Sequence, residues 1–109
     1  RKAAIYYKDW LAGILTETDD GEYTFQYDEK YIAEHPNESI TLTMPVKSIT
    51  YKEKRLFPFF EGLIPEGWLL DIASKNWKIN QNDRMGLLLA CCQNCIGAVS
   101  IQLIPNEDE

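Results

Sequence analysis

The three cysteines of the chain and its single histidine are the residue types that first suggest chemistry. Cys92 and Cys95 have the Cys-x-x-Cys spacing found in metal sites and redox pairs, and Cys91 lies beside them. A structural zinc site needs four ligands, and only the distant His35 or a carboxylate could complete this one. A redox pair would fit a thioredoxin-like βαβ pattern, which does not surround these residues. The sequence therefore favours small thiols buried at the end of a core helix, and it predicts neither a metal nor a cofactor.

The carboxylates and His35 do not form a recognisable catalytic set. Paired carboxylates can serve a glycosidase or bind a cation, and four acidic residues crowd one predicted hairpin: Glu17, Asp19, Asp20 and Glu22. On a turn, however, a solvated acidic surface is the ordinary explanation. We interpret His35 as a solvated loop residue, because no motif links it to a nucleophile. A Gly-x-Gly-x-x-Gly fingerprint, a Walker A motif and a kinase catalytic loop are all absent from the sequence.

The composition limits both the fold and the class of partner. With 109 residues, 45% hydrophobic and 26% charged, the chain is predicted to form one domain over residues 1–104, followed by an acidic tail at 105–109. Its 11 basic and 17 acidic side chains give a net charge of −6, which disfavours direct binding to nucleic acid or anionic membranes. No stretch approaches the roughly 18 to 20 apolar residues of a membrane span, so we expect a cytoplasmic protein.

Alternating apolar residues predict two hairpins near the start of the chain. Strands are expected at 3–7 and 10–16, separated by a turn at Lys8-Asp9. Trp10 opens the second of these strands and is expected to face the core. Asp20-Gly21 then offers a turn into a third strand, in which three aromatic residues share one face: Tyr23, Phe25 and Tyr27.

The next part of the chain predicts a short helix and two further strands. A helical turn over 28–34 should stop before Pro36, because the residue before proline avoids the helical region. Alternation of Ile40, Leu42 and Met44 with threonines predicts a half-buried strand that ends at Pro45. Alternation over 98–104 predicts a closing strand.

The segment from Phe57 to Leu70 is the most unusual, because its fourteen residues include four aromatics, two prolines and two glycines. Pro58 fits the first turn of a short helix, which Gly62 could end in a left-handed conformation.

Pro65-Glu66-Gly67 could start a second helix that extends from Glu66 to Trp77. Placing its residues about 100° apart puts Trp77 within the apolar side and Trp68 at the edge of that side. The Trp68 indole could therefore lock the core or project as an anchor for another protein.

Asn82 is predicted to cap a third helix, which has a buried stripe at helical spacing: Met85, Leu88, Leu89 and Cys92. The order of strands, then two to three helices, then a strand predicts an α+β fold. Its sheet should be small and mostly antiparallel, or a partial barrel.

Several stretches, in the same order, resemble the N-terminal subdomain of HipA-family kinases. The clearest are Phe57-Pro-Phe-Phe-Glu-Gly-Leu-Ile-Pro-Glu-Gly, Asp83-Arg-Met-Gly-Leu-Leu and Cys95-Ile-Gly-Ala-Val-Ser-Ile. Trp10-Leu-Ala-Gly-Ile-Leu is similar to the opening hairpin of that subdomain, and Ile40-Thr-Leu-Thr-Met-Pro-Val is similar to its Ser-Leu-Ser-Leu-Pro type of strand end. The resemblance runs nearly from end to end.

HipA kinases carry their ATP site and catalytic aspartate beyond this subdomain, so the resemblance implies a chain with no kinase activity of its own. Stand-alone proteins of this size resemble the HipS-like antitoxins of three-component HipBST toxin–antitoxin systems. In those systems HipT is a serine/threonine kinase that acts on an aminoacyl-tRNA synthetase, and HipB is the DNA-binding partner. The resemblance implies an antitoxin that binds and neutralises a HipT-like kinase, with a HipB-like protein as an indirect partner.

The resemblance also implies a binding site, because the corresponding turn carries a tryptophan that reaches towards the active-site region of the kinase. The expected partner-binding residues are Pro65, Glu66, Gly67, Trp68, Leu69 and Asp71. In this interpretation the Trp68 indole fills a pocket of the kinase and its N–H finds an acceptor. The competing interpretation places Trp68 in the core.

Two other classes of function stay open at this point. A regulatory subdomain of a full-length HipA-like kinase would share the fold and act in cis. A small-molecule or peptide-binding module would instead use the aromatic face of Tyr23, Phe25 and Tyr27 as its groove, unless helices cover that face.

Overall fold

A computed structural model describes residues 1–64, 82–91 and 98–105. Its elements in chain order are β1 (Lys2–Tyr7), β2 (Trp10–Glu17), β3 (Tyr23–Tyr27), α1 (Glu29–Glu34), β4 (Thr50–Glu53), α2 (Pro58–Glu61), α3 (Arg84–Cys91) and β5 (Val99–Ile104). The strands form an antiparallel sheet in the order β4-β3-β2-β1-β5, so β4 and β5 are its edges. The predicted α+β class with a small antiparallel sheet is confirmed.

Both predicted hairpin turns are present. Lys8 and Asp9 have φ angles of 55° and 73°, which suit a two-residue turn that follows the right-handed twist of the strands. The second hairpin closes through a hydrogen bond from the Thr18 N–H to the Glu22 carbonyl, at 2.8 Å. Gly21 in that turn has a φ of 84°, a conformation that favours glycine.

The predicted aromatic face of β3 is the centre of the core. The side chains of Tyr23, Phe25 and Tyr27 are all buried, and the Phe25 ring lies 5.9 Å from the Phe60 ring of α2 between centroids. Three side chains of α3 are fully buried in the same cluster: Met85, Leu87 and Leu88. Because helices cover these rings, the hypothesis of an open aromatic groove on β3 is wrong.

Gly13 lets β2 and β3 approach at the centre of the sheet. A Cβ atom at this position would lie 2.4 Å from the Gln26 carbonyl oxygen and 2.8 Å from Cζ of Phe25. The Phe25 ring therefore occupies the space that a side chain at position 13 would fill.

The α1 helix begins and ends where the sequence predicts. The Asp28 carboxylate accepts hydrogen bonds from the N–H groups of Lys30 and Tyr31, at 3.1 and 3.4 Å. These bonds satisfy two of the unpaired donors at the helix start. The helix stops at Glu34, before Pro36.

The predicted strand over residues 40–45 is wrong. Ile40 and Met44 are buried, but Leu42 between them is 94% exposed, whereas a strand would put all three on one face. The chain instead reverses direction, with an isolated bridge between Thr41 and Met44 and a 3.2 Å bond from the Met44 N–H to the Thr41 carbonyl. The buried Tyr27 hydroxyl joins both legs of this turn, since it accepts from the Ile40 N–H and donates to the Met44 carbonyl.

Three smaller features also differ from the sequence-based expectation. The edge strand β4 was not predicted, because Tyr51 is its only apolar residue and no alternation marks it. Gly62 ends α2 with φ −68° and ψ −16°, a right-handed rather than left-handed conformation. Asp83, not Asn82, caps α3, since its carboxylate accepts the Gly86 N–H at 3.1 Å.

The closing strand is confirmed as β5, which pairs with β1 along its whole length. Of the helices in the ranges described, none combines the length and the apolar character needed to cross a membrane.

Candidate partner-binding site

The six expected partner-binding residues all fall in the segment 65–81, which lies outside the described residues. The predicted helix from Glu66 to Trp77 falls there as well. The structure does describe the chain on both sides of this segment: α2 and the turn to Ile64 before it, and Asn82 with α3 after it. These flanking residues form the base of the segment.

The side leading into the segment is fixed in the core. Pro58 occupies the first turn of α2, as predicted, where its missing N–H costs no hydrogen bond. Phe57, Phe60 and Ile64 are buried, and the Phe60 ring contacts the rings of Phe57 and Phe59 edge to face. The aromatic residues that made this stretch unusual thus anchor its first half.

The side leading out of the segment is held by α3 and by a charge cluster. Arg1 binds the Asp83 carboxylate at 2.9 and 2.5 Å, and its Nε binds Glu17 on β2 at 2.7 Å. Hydrogen bonds from Arg1 hold the pKa of both carboxyl groups below their usual values, against the opposing effect of burial. A Cβ at Gly86 would lie 2.4 Å from Oδ2 of Asp83, so a side chain there would displace this carboxylate from its present position.

An ion pair joins the two sides of the base. Arg84 Nη2 lies 2.5 Å from Glu61 Oε1, so the end of α2 and the start of α3 meet at the surface. Both side chains are part-exposed, so the pair contributes at most about 1 kcal/mol to stability. The pair also shows that the end of α2 lies beside the start of α3.

Among the described residues, no group of three or more His, Cys, Asp or Glu side chains could hold a metal ion. Cys92 and Cys95 lie outside the described residues. Of the acidic hairpin, Glu17 is paired with Arg1 and with the Tyr23 hydroxyl.

His35 and Trp10 differ from their predicted environments. The His35 side chain is only 19% exposed, and its ring packs against Trp10 and Tyr31 at centroid distances of 4.9 and 5.0 Å. Trp10 is 49% exposed rather than core, because it lies at the start of β2, beside the turn, where it pairs with Tyr7 at the end of the sheet. The two rings cover each other at the tip of the first hairpin.

Two surface features have no signal in the sequence. Leu42 stands out at the tip of its turn, but single exposed apolar side chains are common and this one defines no site. The Glu61–Arg84 and Arg1–Asp83 pairs join residues far apart in the chain, and no local pattern announces such pairs.

Comparison with known proteins agrees with this architecture. A family model described as the HipA N-terminal domain matches residues 3–102. An uncharacterised protein of Haemophilus influenzae is 29% identical over 102 residues, which are 94% of this chain and 92% of the relative. A solved structure titled N-terminal domain of HipA toxin superimposes with a TM-score of 0.73 at 22% identity, covering 98% of this chain and 95% of the other.

Proposed function

Because the chain belongs to the HipA N-terminal domain family, we propose that it is a non-catalytic antitoxin that binds a HipT-like serine/threonine kinase and neutralises it. It acts in the cytoplasm, and a HipB-like DNA-binding protein is an indirect partner through the kinase. The observation that carries the proposal is the match of a HipA N-terminal domain to nearly the whole chain.

The Haemophilus relative supports a domain that works as a separate protein. The match covers 92% of that relative, and the remainder is too short to hold a kinase domain. A subdomain on its own chain must bury against the kinase the surface that a HipA kinase buries internally. We therefore expect an interface with an apolar centre and a polar rim.

In this proposal the segment 65–81 supplies the centre of the interface. Its base is fixed by the buried Phe60 and Ile64 on one side and by α3 on the other, with Glu61 and Arg84 joined between them. A segment held at both ends loses less conformational entropy on binding than a free one. Trp68 is the proposed anchor, with Pro65, Glu66, Gly67, Leu69 and Asp71 around it. An indole inserted near the active site of the kinase would block ATP binding or the catalytic geometry without any chemistry by this chain.

The second candidate is a regulatory subdomain that acts in cis within a HipA-like kinase. The likeness to the N-terminal domain of a HipA toxin favours it, since that domain has the same fold. The two candidates differ in whether the domain, supplied as a separate chain, inhibits a kinase.

Co-expression with a HipT-like kinase from the same genome tests the proposal. We expect the wild-type chain to restore growth and to co-purify with the kinase, and Trp68→Ala to lose both effects. Trp10→Ala is a matched control, because it removes a half-exposed indole at the tip of the first hairpin. A wild-type chain that neither restores growth nor co-purifies would contradict the trans-acting antitoxin and leave the cis-acting subdomain.

A further inference from the structure

A short basic segment interrupts the acidic surface of this protein. Residues 47–55 hold four of the eleven basic residues of the chain and one carboxylate, although the net charge of the chain is −6. All four basic side chains are exposed: Lys47, Lys52, Lys54 and Arg55. The segment includes the edge strand β4 and the bend that follows it.

The basic side chains at this edge differ in their pairing from Arg1 and Arg84. Elsewhere, Arg1 is paired with Glu17 and Asp83, and Arg84 is paired with Glu61. Within the part of the chain that the structure describes, no ion pair involves Lys52, Lys54 or Arg55. Their charges are therefore available to a ligand.

The backbone of β4 is available as well. On one side β4 pairs with β3 from Gln26↔Thr50 to Tyr23↔Glu53, and on the other side no strand of the described ranges pairs with it. The four residues of β4 span about 13 Å and present backbone donors and acceptors that an added strand could use.

A groove of about 610 Å³ lies next to this edge. It is lined by Lys52, Lys54 and Arg55, by the apolar Leu56 and Pro58, and by the carboxylates Glu22 and Glu53. The two carboxylates are part of the recognition, because a ligand must place its negative groups on the cations and away from these oxygens. An extended peptide, whose side chains alternate, can satisfy that requirement.

We propose that β4 and the basic residues after it take up an extended acidic peptide of a partner protein as an additional strand. Lysine on an edge strand also prevents two copies of a sheet from pairing edge to edge. That function alone would explain Lys52, but it does not explain Lys54 and Arg55 on the adjoining groove. The same positive charges that repel a second copy of β4 attract a strand rich in carboxylates.

Fluorescence polarisation with a labelled eight-residue peptide of alternating Glu and Val tests this inference. We expect binding that weakens as salt is raised, although the net charge of the protein repels the peptide. A Gln and Val peptide of the same length should bind more weakly, since it keeps the strand propensity and lacks the charge. Hydrogen exchange should show protection of amides of residues 50–53 by the acidic peptide.

Charge-reversed variants locate the site. Lys52→Glu with Lys54→Glu should weaken peptide binding by ~10-fold or more. Lys2→Glu with Lys30→Glu is the matched control, because it makes the same change in net charge at two other exposed lysines and should have less than a ~2-fold effect. Equal losses in the two variants, no binding of the acidic peptide, no protection of β4, or equally tight binding of single-stranded DNA would each overturn the proposal.

Discussion

The hydroxyl of Tyr27 supports the turn that replaces the predicted strand, and Tyr27→Phe measures that support. The hydroxyl accepts the Ile40 N–H at 3.1 Å and donates to the Met44 carbonyl at 2.5 Å, and all three residues are at most 6% exposed. Its removal leaves a buried donor and a buried acceptor without this partner. At about 1 to 3 kcal/mol for each of the two unsatisfied buried groups, we expect a loss of about 2 to 6 kcal/mol in the free energy of unfolding.

Urea unfolding of Tyr27→Phe and of Tyr51→Phe provides the comparison. Tyr51 donates a single hydrogen bond, to the carbonyl of exposed Pro45 at 2.6 Å, so its loss should cost at most about 1 kcal/mol. The thermal midpoint of Tyr27→Phe should fall by at least about 8 °C, and the Ile40 amide should exchange faster. Equal stabilities of the two variants would refute the role assigned to the Tyr27 hydroxyl.

Three further predictions concern the sheet, the tyrosines and the base of the candidate site. Gly13→Ala should lower the free energy of unfolding in urea by about 1 to 3 kcal/mol, because its Cβ would meet β3. Gly62→Ala should be nearly neutral, since Gly62 already has helical φ and ψ angles. Equal effects of the two variants would contradict the close approach of β2 and β3. Burial raises the pKa of Tyr23 and Tyr31 from about 10 to about 12. The stability that these protonated hydroxyls contribute is therefore complete below pH 10 and is lost as the pH rises towards 12. A Tyr31→Phe variant whose stability falls with alkaline pH as the wild type does would count against this. Asp83→Asn should lower the free energy of unfolding by about 1 kcal/mol at neutral pH. Because the pKa of the Asp83 carboxyl is depressed, its ionised form stabilises the fold at any pH above the usual carboxyl pKa, and this contribution is lost as the pH falls. The variant should therefore lose less stability in acid than the wild type, which acid titration followed by circular dichroism would measure.

The elements that the sequence predicted correctly are those marked by local chemistry. The hairpin turns follow from residues that accept positive φ or favour turns, and the end of α1 follows from Pro36. The aromatic face of β3 follows from strand alternation, and Pro58 marks the start of α2.

The errors arise where tertiary contacts override a local pattern. Ile40, Leu42 and Met44 alternate as in a strand, yet the buried Tyr27 hydroxyl holds the two legs of a turn. Trp10 is expected in the core, but it pairs with Tyr7 at the tip of the first hairpin, where the sheet ends, and is therefore half-exposed. The edge strand β4 is polar because one of its sides meets solvent, so no apolar alternation marks it.

The candidate site could be predicted only through resemblance. A single tryptophan at the edge of an amphipathic pattern does not distinguish an anchor from a core residue. The base of the segment depends on the pairs Glu61–Arg84 and Arg1–Asp83, which join residues separated in the chain and therefore have no local sequence signal.

The central claim is that Trp68 carries the binding and inhibition of a HipT-like kinase, and titration of the purified kinase tests it most directly. Kinase autophosphorylation and the Kd would be measured with the wild-type chain, Trp68→Ala and Trp10→Ala, after circular dichroism has shown that each variant is folded. The account predicts inhibition by the wild type, a Kd raised ~30-fold or more for folded Trp68→Ala, corresponding to about 2 kcal/mol, and less than a ~2-fold change for Trp10→Ala. A folded Trp68→Ala chain that binds and inhibits the kinase as well as the wild type would contradict it.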